Sequence, residues 1–88
     1  AGIIQLTKYY ASYLGRFGVQ VNTVTPGPFP SEGVQKNEAF VESLSSKTLL
    51  GRIGEPEDLG GAFVFLSSEA ANYITGQNIE VAGGLGLI

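Results

Sequence analysis

The residues best suited to bind a ligand lie in one short loop, Pro26-Gly27-Pro28-Phe29-Pro30-Ser31. Its prolines stand at every second position, and because each lacks an N–H the loop cannot extend a β-ladder. Phe29 carries the one backbone N–H between two prolines, and Ser31 adds a hydroxyl just beyond them. Gly27 allows a ligand to approach the backbone closely. A flat amide or a phosphate group needs such donors, so this loop is a candidate binding site.

The loop directly follows a predicted strand. Val19, Val21 and Val24 belong to a short, β-branched run that ends at Thr25, which is typical of a strand buried on both faces of a parallel sheet. Ligands of open α/β sheets bind at the carboxyl ends of the strands. The plainer alternative is a strand that is stopped by prolines and leaves the sheet for a surface loop. The residues by themselves leave both interpretations open.

Composition excludes several other kinds of site and partner. The 88 residues contain no His and no Cys, so the chain has no histidine base and no thiolate, and no metal site is expected. The net charge of −3 argues against nucleic acid or an anionic membrane as a partner. No apolar run has the length of a membrane span, and no signal peptide is visible. The expected location is therefore cytoplasmic.

Hydrophobic spacing and turn residues predict five elements that position the loop. Gly18 is expected to end the first helix in a left-handed conformation, and Pro56, among acidic residues, favours the start of the second long helix. The predicted order is a helix over 1–17, the strand over 19–25, one or two short helices within 31–51 with the clearest at 38–46, a helix from 56 to about 67, and a strand over 77–81. The short helices could form a lid over the ligand edge, or they could be surface helices with no gating role.

Two long segments then resemble the short-chain dehydrogenase/reductase family. VQVNTVTPGPFPS resembles its V-N-x-V-x-P-G-x-x-x-T segment, and GRIGEPEDLGGAFVFLSSEAANYITGQNIEVAGG resembles its last helix and last strand. The first helix resembles the second half of the family's catalytic helix. The resemblance implies an α/β fold that is the C-terminal portion of a doubly wound parallel Rossmann sheet, in the order helix-strand-lid-helix-strand. Residues 1–88 are then expected to be the C-terminal fragment of a single NAD(P)-binding domain.

The resemblance also implies a cofactor, NAD or NADP, and assigns the loop to it. The Phe29 N–H is expected to meet the nicotinamide carboxamide, and Ser31 stands where the family usually has Thr. Asn22 matches an asparagine of the family's strand and is expected to be a structural hydrogen-bonding residue. The residues implied to bind the cofactor are Pro26, Gly27, Pro28, Phe29 and Ser31.

The family's proton-transfer pair, Tyr-x-x-x-Lys, is missing from this sequence. The residues four positions after Tyr9, Tyr10, Tyr13 and Tyr73 are Tyr, Leu, Phe and Gln. No catalytic residue is therefore predicted within the chain, and the pair is expected just before Ala1. The 88 residues by themselves are predicted to be inactive.

The resemblance thus implies part of an oxidoreductase that interconverts a small-molecule alcohol and a carbonyl by hydride transfer. The helix that begins at Pro56 is apolar nearly all round, which favours burial on more than one side. A homodimer or homotetramer built through the residues from Pro56 to Ile88 is therefore expected. The alternatives are a non-catalytic association module and an inactive truncated fragment.

Overall fold

The computed structural model describes residues 2–87 as an α/β arrangement of four α-helices, two short 3-10 helices and two strands. The strands form one two-stranded sheet. In chain order the elements are α1 (Gly2–Leu14), a 3-10 helix (Gly15–Phe17), β1 (Thr23–Pro26), α2 (Glu32–Gln35), α3 (Glu38–Ser46), α4 (Pro56–Leu66), a 3-10 helix (Glu69–Ala71) and β2 (Asn78–Val81).

The chain divides into two compact units. The first comprises the residues up to Thr25 together with Gly61–Ile79, and the second comprises Pro26–Gly60 together with the residues from Glu80 onward. The candidate loop therefore belongs to the second unit.

In the first unit, α1 buries one narrow face. Thr7 and Ala11 are buried, and Ile4 and Leu14 beside them are half-buried. The Thr7 hydroxyl donates to the Ile3 carbonyl at 2.7 Å and bonds the hydroxyl of Thr23, so a polar residue faces inward. Helical spacing predicts one inner face of six residues: Ile3, Leu6, Thr7, Tyr10, Ala11 and Leu14. That prediction is wrong for Ile3, Leu6 and Tyr10, which are exposed.

The predicted end of the first helix is correct in kind and differs in detail. The α-helix stops at Leu14, three residues before the predicted end, and continues as a 3-10 turn. Gly18 has φ 75°, as expected, and its N–H donates to the Gly15 carbonyl at 3.0 Å. Two stop signals close together, Gly15 and Gly18, tighten the last turn before the chain leaves the helix.

The first strand is shorter than predicted, because residues 19–22 lie beside a turn and not beside another strand. Residues 19–22 are joined to the turn chiefly through side chains: the Asn22 amide donates to the Ile74 carbonyl at 3.1 Å and its oxygen accepts from Gln77 N at 3.0 Å. Asn22 is thus the structural hydrogen-bonding residue that was predicted. Regular pairing starts only at Thr23, whose N–H donates to the Gln77 carbonyl at 2.9 Å.

Both strands run in the same direction. Gly27 N, four residues after Thr23, donates to the Val81 carbonyl, four residues after Gln77, at 2.9 Å. This equal advance along both strands is the register of a parallel pair. The second strand was predicted over 77–81 and is observed over Asn78–Val81.

Two helices, α3 and α4, begin where the sequence predicts, and α2 is a further short helix within the range 31–51. Ser31 and Asn37 cap α2 and α3 by accepting hydrogen bonds from Val34 N at 3.4 Å and Phe40 N at 3.1 Å. The predicted helix over 38–46 is observed at those bounds. Pro56 is the first residue of α4, where its missing N–H costs nothing.

The side chains of α4 correct one prediction. Leu59, Ala62 and Leu66 are half-buried as expected, whereas Phe63, predicted on the same inner face, is 57% exposed. The helix ends at Leu66, one residue before the predicted end. The inner stripe of α4 therefore follows a spacing of three and four residues without Phe63.

Candidate cofactor-binding loop

The candidate loop leaves the sheet at the carboxyl end of β1. Pro26 is the last residue of the strand and is exposed, whereas Gly27, Pro28, Phe29 and Pro30 are half-buried. The Gly27 N–H is the last donor to β2. The loop thus begins where the backbone pairing stops, which is the edge where ligands bind in open α/β sheets.

Gly27 is required by packing inside the second unit. A Cβ at this position would lie 2.6 Å from both the Cα and the Cβ of Ala82, a separation that carbon atoms do not tolerate. The sequence argument gave a different reason for this glycine, namely close approach of a ligand. Its place beside a cofactor stays a prediction.

The ring of Phe29 packs against the protein, whereas its backbone N–H has no partner among the described backbone groups. A Cβ at Gly54 would lie under 3.0 Å from atoms of the Phe29 ring, so the ring lies directly on the Gly54 backbone. Among the described residues, the Phe29 N–H forms no hydrogen bond to another backbone group. Phe29 is a half-buried residue, and its free N–H is the donor that the sequence argument assigned to a ligand.

Ser31 serves the structure first. Its side-chain oxygen accepts from Val34 N and caps α2, while the next turn is closed by a bond from Gln35 Nε2 to the Pro30 carbonyl at 2.8 Å. A cap of this kind uses the oxygen as an acceptor and leaves the hydroxyl proton to donate elsewhere. The predicted contact of Ser31 with a cofactor stays a prediction.

An ion pair secures the segment that supports the loop. Arg52 Nη1 and Nη2 donate to the two oxygens of Asp58 at 2.8 and 3.2 Å, and Asp58 also accepts from Glu55 N at 2.8 Å. The hydrogen bond from Arg52, together with the one from Glu55 N, lowers the pKa of the Asp58 carboxyl to about 2. The same hydrogen bond raises the pKa of Arg52.

A buried threonine shapes the turn before this segment. Thr48 is 4% exposed, and its hydroxyl oxygen accepts from Gly51 N at 3.0 Å and from Arg52 N at 3.1 Å. The turn places Leu50 N 3.0 Å from the Gly83 carbonyl, and Leu49 lies on Gly84 so closely that no Cβ would fit there. The glycine-rich tail is thus packed against the turn.

These residues enclose a cavity of about 400 Å³ within the second unit. Two of the five predicted cofactor-binding residues, Pro28 and Phe29, line it; Pro26, Gly27 and Ser31 do not. Its other walls come from the turn, the supporting segment and the tail: Leu49, Leu50, Arg52, Ile53, Gly54, Asp58, Glu80, Val81, Ala82, Gly83 and Gly84. The cavity therefore touches the side of the loop that carries the Phe29 ring.

The described residues contain neither a metal-binding cluster nor a membrane-spanning helix. In the described part of the chain, residues 2–87, no group of three or more Asp, Glu, His or Cys side chains is placed to hold a metal ion. Over the same residues, no helix has both the length and the apolar character needed to cross a bilayer.

Comparison with known proteins decides the family. The family described as enoyl-(acyl carrier protein) reductase matches residues 1–86, and solved structures named as short-chain dehydrogenases match nearly the whole chain. This chain belongs to the short-chain dehydrogenase/reductase family. The resemblance drawn from the sequence is thereby confirmed.

Curated relatives of this chain have names that point to different substrates. The chain is 41% identical to human (3R)-3-hydroxyacyl-CoA dehydrogenase over 86 residues, which are 97% of this chain and 33% of that protein. It is 44% identical to a 3-oxoacyl-[acyl-carrier-protein] reductase of Rickettsia conorii, covering 97% of this chain and 36% of that protein. The chain thus spans about a third of the length of the curated relatives it matches.

The solved structures confirm the fold class. A short-chain dehydrogenase from Leptospira borgpetersenii with bound NAD+ has a TM-score of 0.81 at 42% identity, covering 94% of this chain and 32% of that one. A 4-hydroxyisoleucine dehydrogenase complexed with NADH has a TM-score of 0.90 at 30% identity, covering 99% and 37%. The predicted α/β fold, a portion of a doubly wound Rossmann sheet, is correct. The cofactor prediction, NAD or NADP, agrees with what these relatives hold.

Sequence reasoning missed Gly54 as part of the site. The segment Gly54-Glu55-Pro56 was interpreted only as a helix start, which it is. The contact between Gly54 and Phe29 joins residues 25 positions apart, so no local pattern indicates it. One signal could have pointed to Gly54: it lies just before a helix and has no left-handed backbone to explain it, which leaves close packing as the reason for a glycine.

Proposed function

We propose that this chain is the C-terminal third of an NAD(P)-dependent oxidoreductase that interconverts an alcohol and a carbonyl by hydride transfer. The observation that carries the proposal is the N–H of the half-buried residue Phe29, which forms no backbone hydrogen bond among the described residues and lies in the loop that follows the carboxyl end of β1. The family membership supplies the ligand class that this donor fits. We call the chain with its proposed upstream part the whole subunit.

The residues of the loop fit the nicotinamide side of such a dinucleotide. The Phe29 N–H donates to the carboxamide oxygen, and the backbone of Gly27 and the ring of Pro28 border the same group. The Ser31 hydroxyl, whose oxygen already accepts from Val34 N, donates its proton to the carboxamide or the pyrophosphate. When bound, the cofactor supplies or accepts the hydride. Pro26 ends the strand and so sets where the loop begins.

Proton transfer is assigned to residues outside this chain. No Tyr-x-x-x-Lys pair occurs in the sequence, and the family resemblance places it upstream. The chain then contributes binding and positioning, with α2 and α3 as a cover over the substrate. Its substrate is a small-molecule alcohol or carbonyl. The names of the relatives include hydroxyacyl thioesters and a sugar, and the proposal does not choose between these classes.

A subunit interface is the second part of the proposal. Phe63, Val64 and Phe65 on α4 are 57%, 72% and 45% exposed. Because consecutive helical residues point to different sides, these side chains make the helix apolar over much of its circumference, and exposed apolar surface of this kind is typical of a helix that further protein covers. We propose a homodimer or homotetramer built through the residues from Pro56 to Ile88. The same exposed apolar surface favours the second candidate function, a non-catalytic association module.

Turnover measurements separate these functions. The whole subunit should reduce NAD or NADP with at least one compound from a panel of secondary alcohols that includes hydroxyacyl thioesters and sugars. The isolated 88 residues should give no turnover with any of them, because the proton-transfer pair is missing. A whole subunit that binds neither cofactor would contradict the oxidoreductase proposal and leave the association module. Turnover by the isolated chain would contradict the assignment of catalysis to upstream residues.

A further inference from the structure

We propose that Gly54 is a positioning residue for the cofactor: with the Arg52–Asp58 ion pair behind it, Gly54 fixes the orientation of the Phe29 N–H. This inference rests on the proposed function, in which that N–H meets the nicotinamide carboxamide. Gly54 itself touches no reacting group. It acts through two contacts with the loop, one to the backbone and one to a side chain.

The backbone contact fixes a whole peptide plane. Gly54 N donates to the Pro28 carbonyl oxygen at 2.8 Å. That carbonyl and the Phe29 N–H belong to the same peptide unit, which is planar and trans, so the two groups point in opposite directions. A hydrogen bond that holds the Pro28 oxygen toward Gly54 therefore aims the Phe29 N–H away from Gly54.

The side-chain contact holds the other side of Phe29. The ring lies on Gly54 where a Cβ would come under 3.0 Å from atoms of the ring. The hydrogen bond holds the plane of the Pro28–Phe29 peptide, and the packed ring restricts movement of the Phe29 Cα, so the two contacts together restrain the N–H. Only glycine fits this position without moving one of them.

The ion pair keeps Gly54 in place. Arg52 Nη1 donates to Asp58 and also to the Ile53 carbonyl at 3.1 Å, while Asp58 accepts from Glu55 N. Residues on both sides of Gly54 are thus tied to one carboxylate at the start of α4. A two-bond arginine–carboxylate contact is fixed in geometry as well as in distance. The support for the loop is therefore a single, cross-linked turn.

A double-mutant cycle in the whole subunit tests this inference. Gly54→Ala is compared in the native background and in a Phe29→Ala background, where no ring is present to collide with. The readouts are the dissociation constants of NADH and NADPH, measured by fluorescence, and the amide hydrogen exchange of residue 54, whose N–H donates to the Pro28 carbonyl, without cofactor. Gly15→Ala is the matched control, because open space surrounds that glycine.

The expected result is a loss that depends on the ring. Gly54→Ala should weaken cofactor binding roughly tenfold in the native background, the size of one lost hydrogen bond, and less than about twofold with Phe29→Ala present. Exchange at residue 54 should rise in the first case only, because there the bond to the Pro28 carbonyl is broken. Gly15→Ala should leave both readouts unchanged.

Other outcomes overturn the inference. Native affinity in Gly54→Ala would do so, as would the same loss in both backgrounds. If Gly54→Ala does not fold, Arg52→Lys serves instead, because it keeps the charge and loses the two-bond geometry. Weaker cofactor binding with faster exchange at residue 54 supports the inference, and unchanged values overturn it. An unmodified subunit that binds neither cofactor refutes the proposed function itself, which is a separate failure.

Discussion

Phe29 combines two roles in one residue. Its ring packs on Gly54, and its N–H forms no backbone hydrogen bond among the described residues. The surrounding prolines cannot supply that donor, since neither has an N–H. The donor count was predictable from the sequence, because it depends only on where the prolines stand. The contact of the ring was not, because it depends on a segment that folds back from 25 residues away.

Asp58 should make the free energy of unfolding depend on pH. Its pKa is lowered from 3.8 to about 2 in the folded chain, so folding favours the charged form. The contribution is complete above about pH 5 and is lost as the pH falls through 3.8 toward 2. Both partners lie at the surface, and solvent keeps the effect small.

The measurement is the free energy of unfolding of Asp58→Asn and of the unmodified subunit, from pH 7 to pH 3. The difference between the two should stay constant down to about pH 5 and then shrink. Glu57→Gln, in the same turn of α4, controls for a general loss of negative charge at the helix start. A difference that stays unchanged down to pH 3 would contradict the ion pair.

At the scale of elements, the sequence predicts best what is decided locally. The starts of α3 and α4 were both predicted. Apolar spacing indicates the helix over 38–46, and Pro56 indicates the start of α4 because a first-turn proline acts within one turn of helix. The start of β1 was placed four residues too early. The residues predicted to begin it, 19–22, face a turn instead of a strand. They bond to that turn through side chains: Val21 N donates to Thr75 Oγ1, and Asn22 Oδ1 accepts from Gln77 N. Which partner a strand meets is a long-range fact.

The end of the first helix gives a matched pair of glycine variants. Gly18 has φ 75°, whereas Gly15 adopts an ordinary conformation with open space around it. Gly18→Ala should lower the free energy of unfolding by about 1–2 kcal/mol, because a Cβ is strained in the left-handed region. Gly15→Ala should be neutral or slightly stabilising. Urea denaturation of both variants checks this, and equal stabilities would show that the left-handed turn is not formed.

At the scale of the whole molecule, about a third of the family's length is present, and much of its apolar surface is exposed. The large apolar side chains exposed on α1 and α4 include Ile3, Leu6, Tyr10, Phe63 and Val64. Fold and family could be predicted because the sequence keeps the family's segments in order and spacing. In the proposed whole subunit, the upstream part would decide which exposed face is covered internally and which is left for a second copy.

The proposed interface predicts an effect on association. Val64 is the most exposed of the large apolar side chains on α4, at 72%. Val64→Glu should dissociate the whole subunit from its oligomer with little loss of helix, because a charge is costly inside an apolar interface. Ser43→Glu, on the exposed side of α3, adds the same charge as a control. Sedimentation of both variants checks this, and a native subunit that is monomeric at micromolar concentration would contradict the interface.

The most direct test of the central claim compares two substitutions at Phe29. Phe29→Ala removes the ring and keeps the N–H, whereas Phe29→Pro removes both. If the N–H binds the nicotinamide carboxamide, Phe29→Pro should bind NADH or NADPH more weakly than Phe29→Ala, by up to about tenfold for one hydrogen bond. Circular dichroism of both whole subunits verifies that the third proline leaves the fold intact. Equal dissociation constants for the two variants would contradict the claim that this loop holds the cofactor.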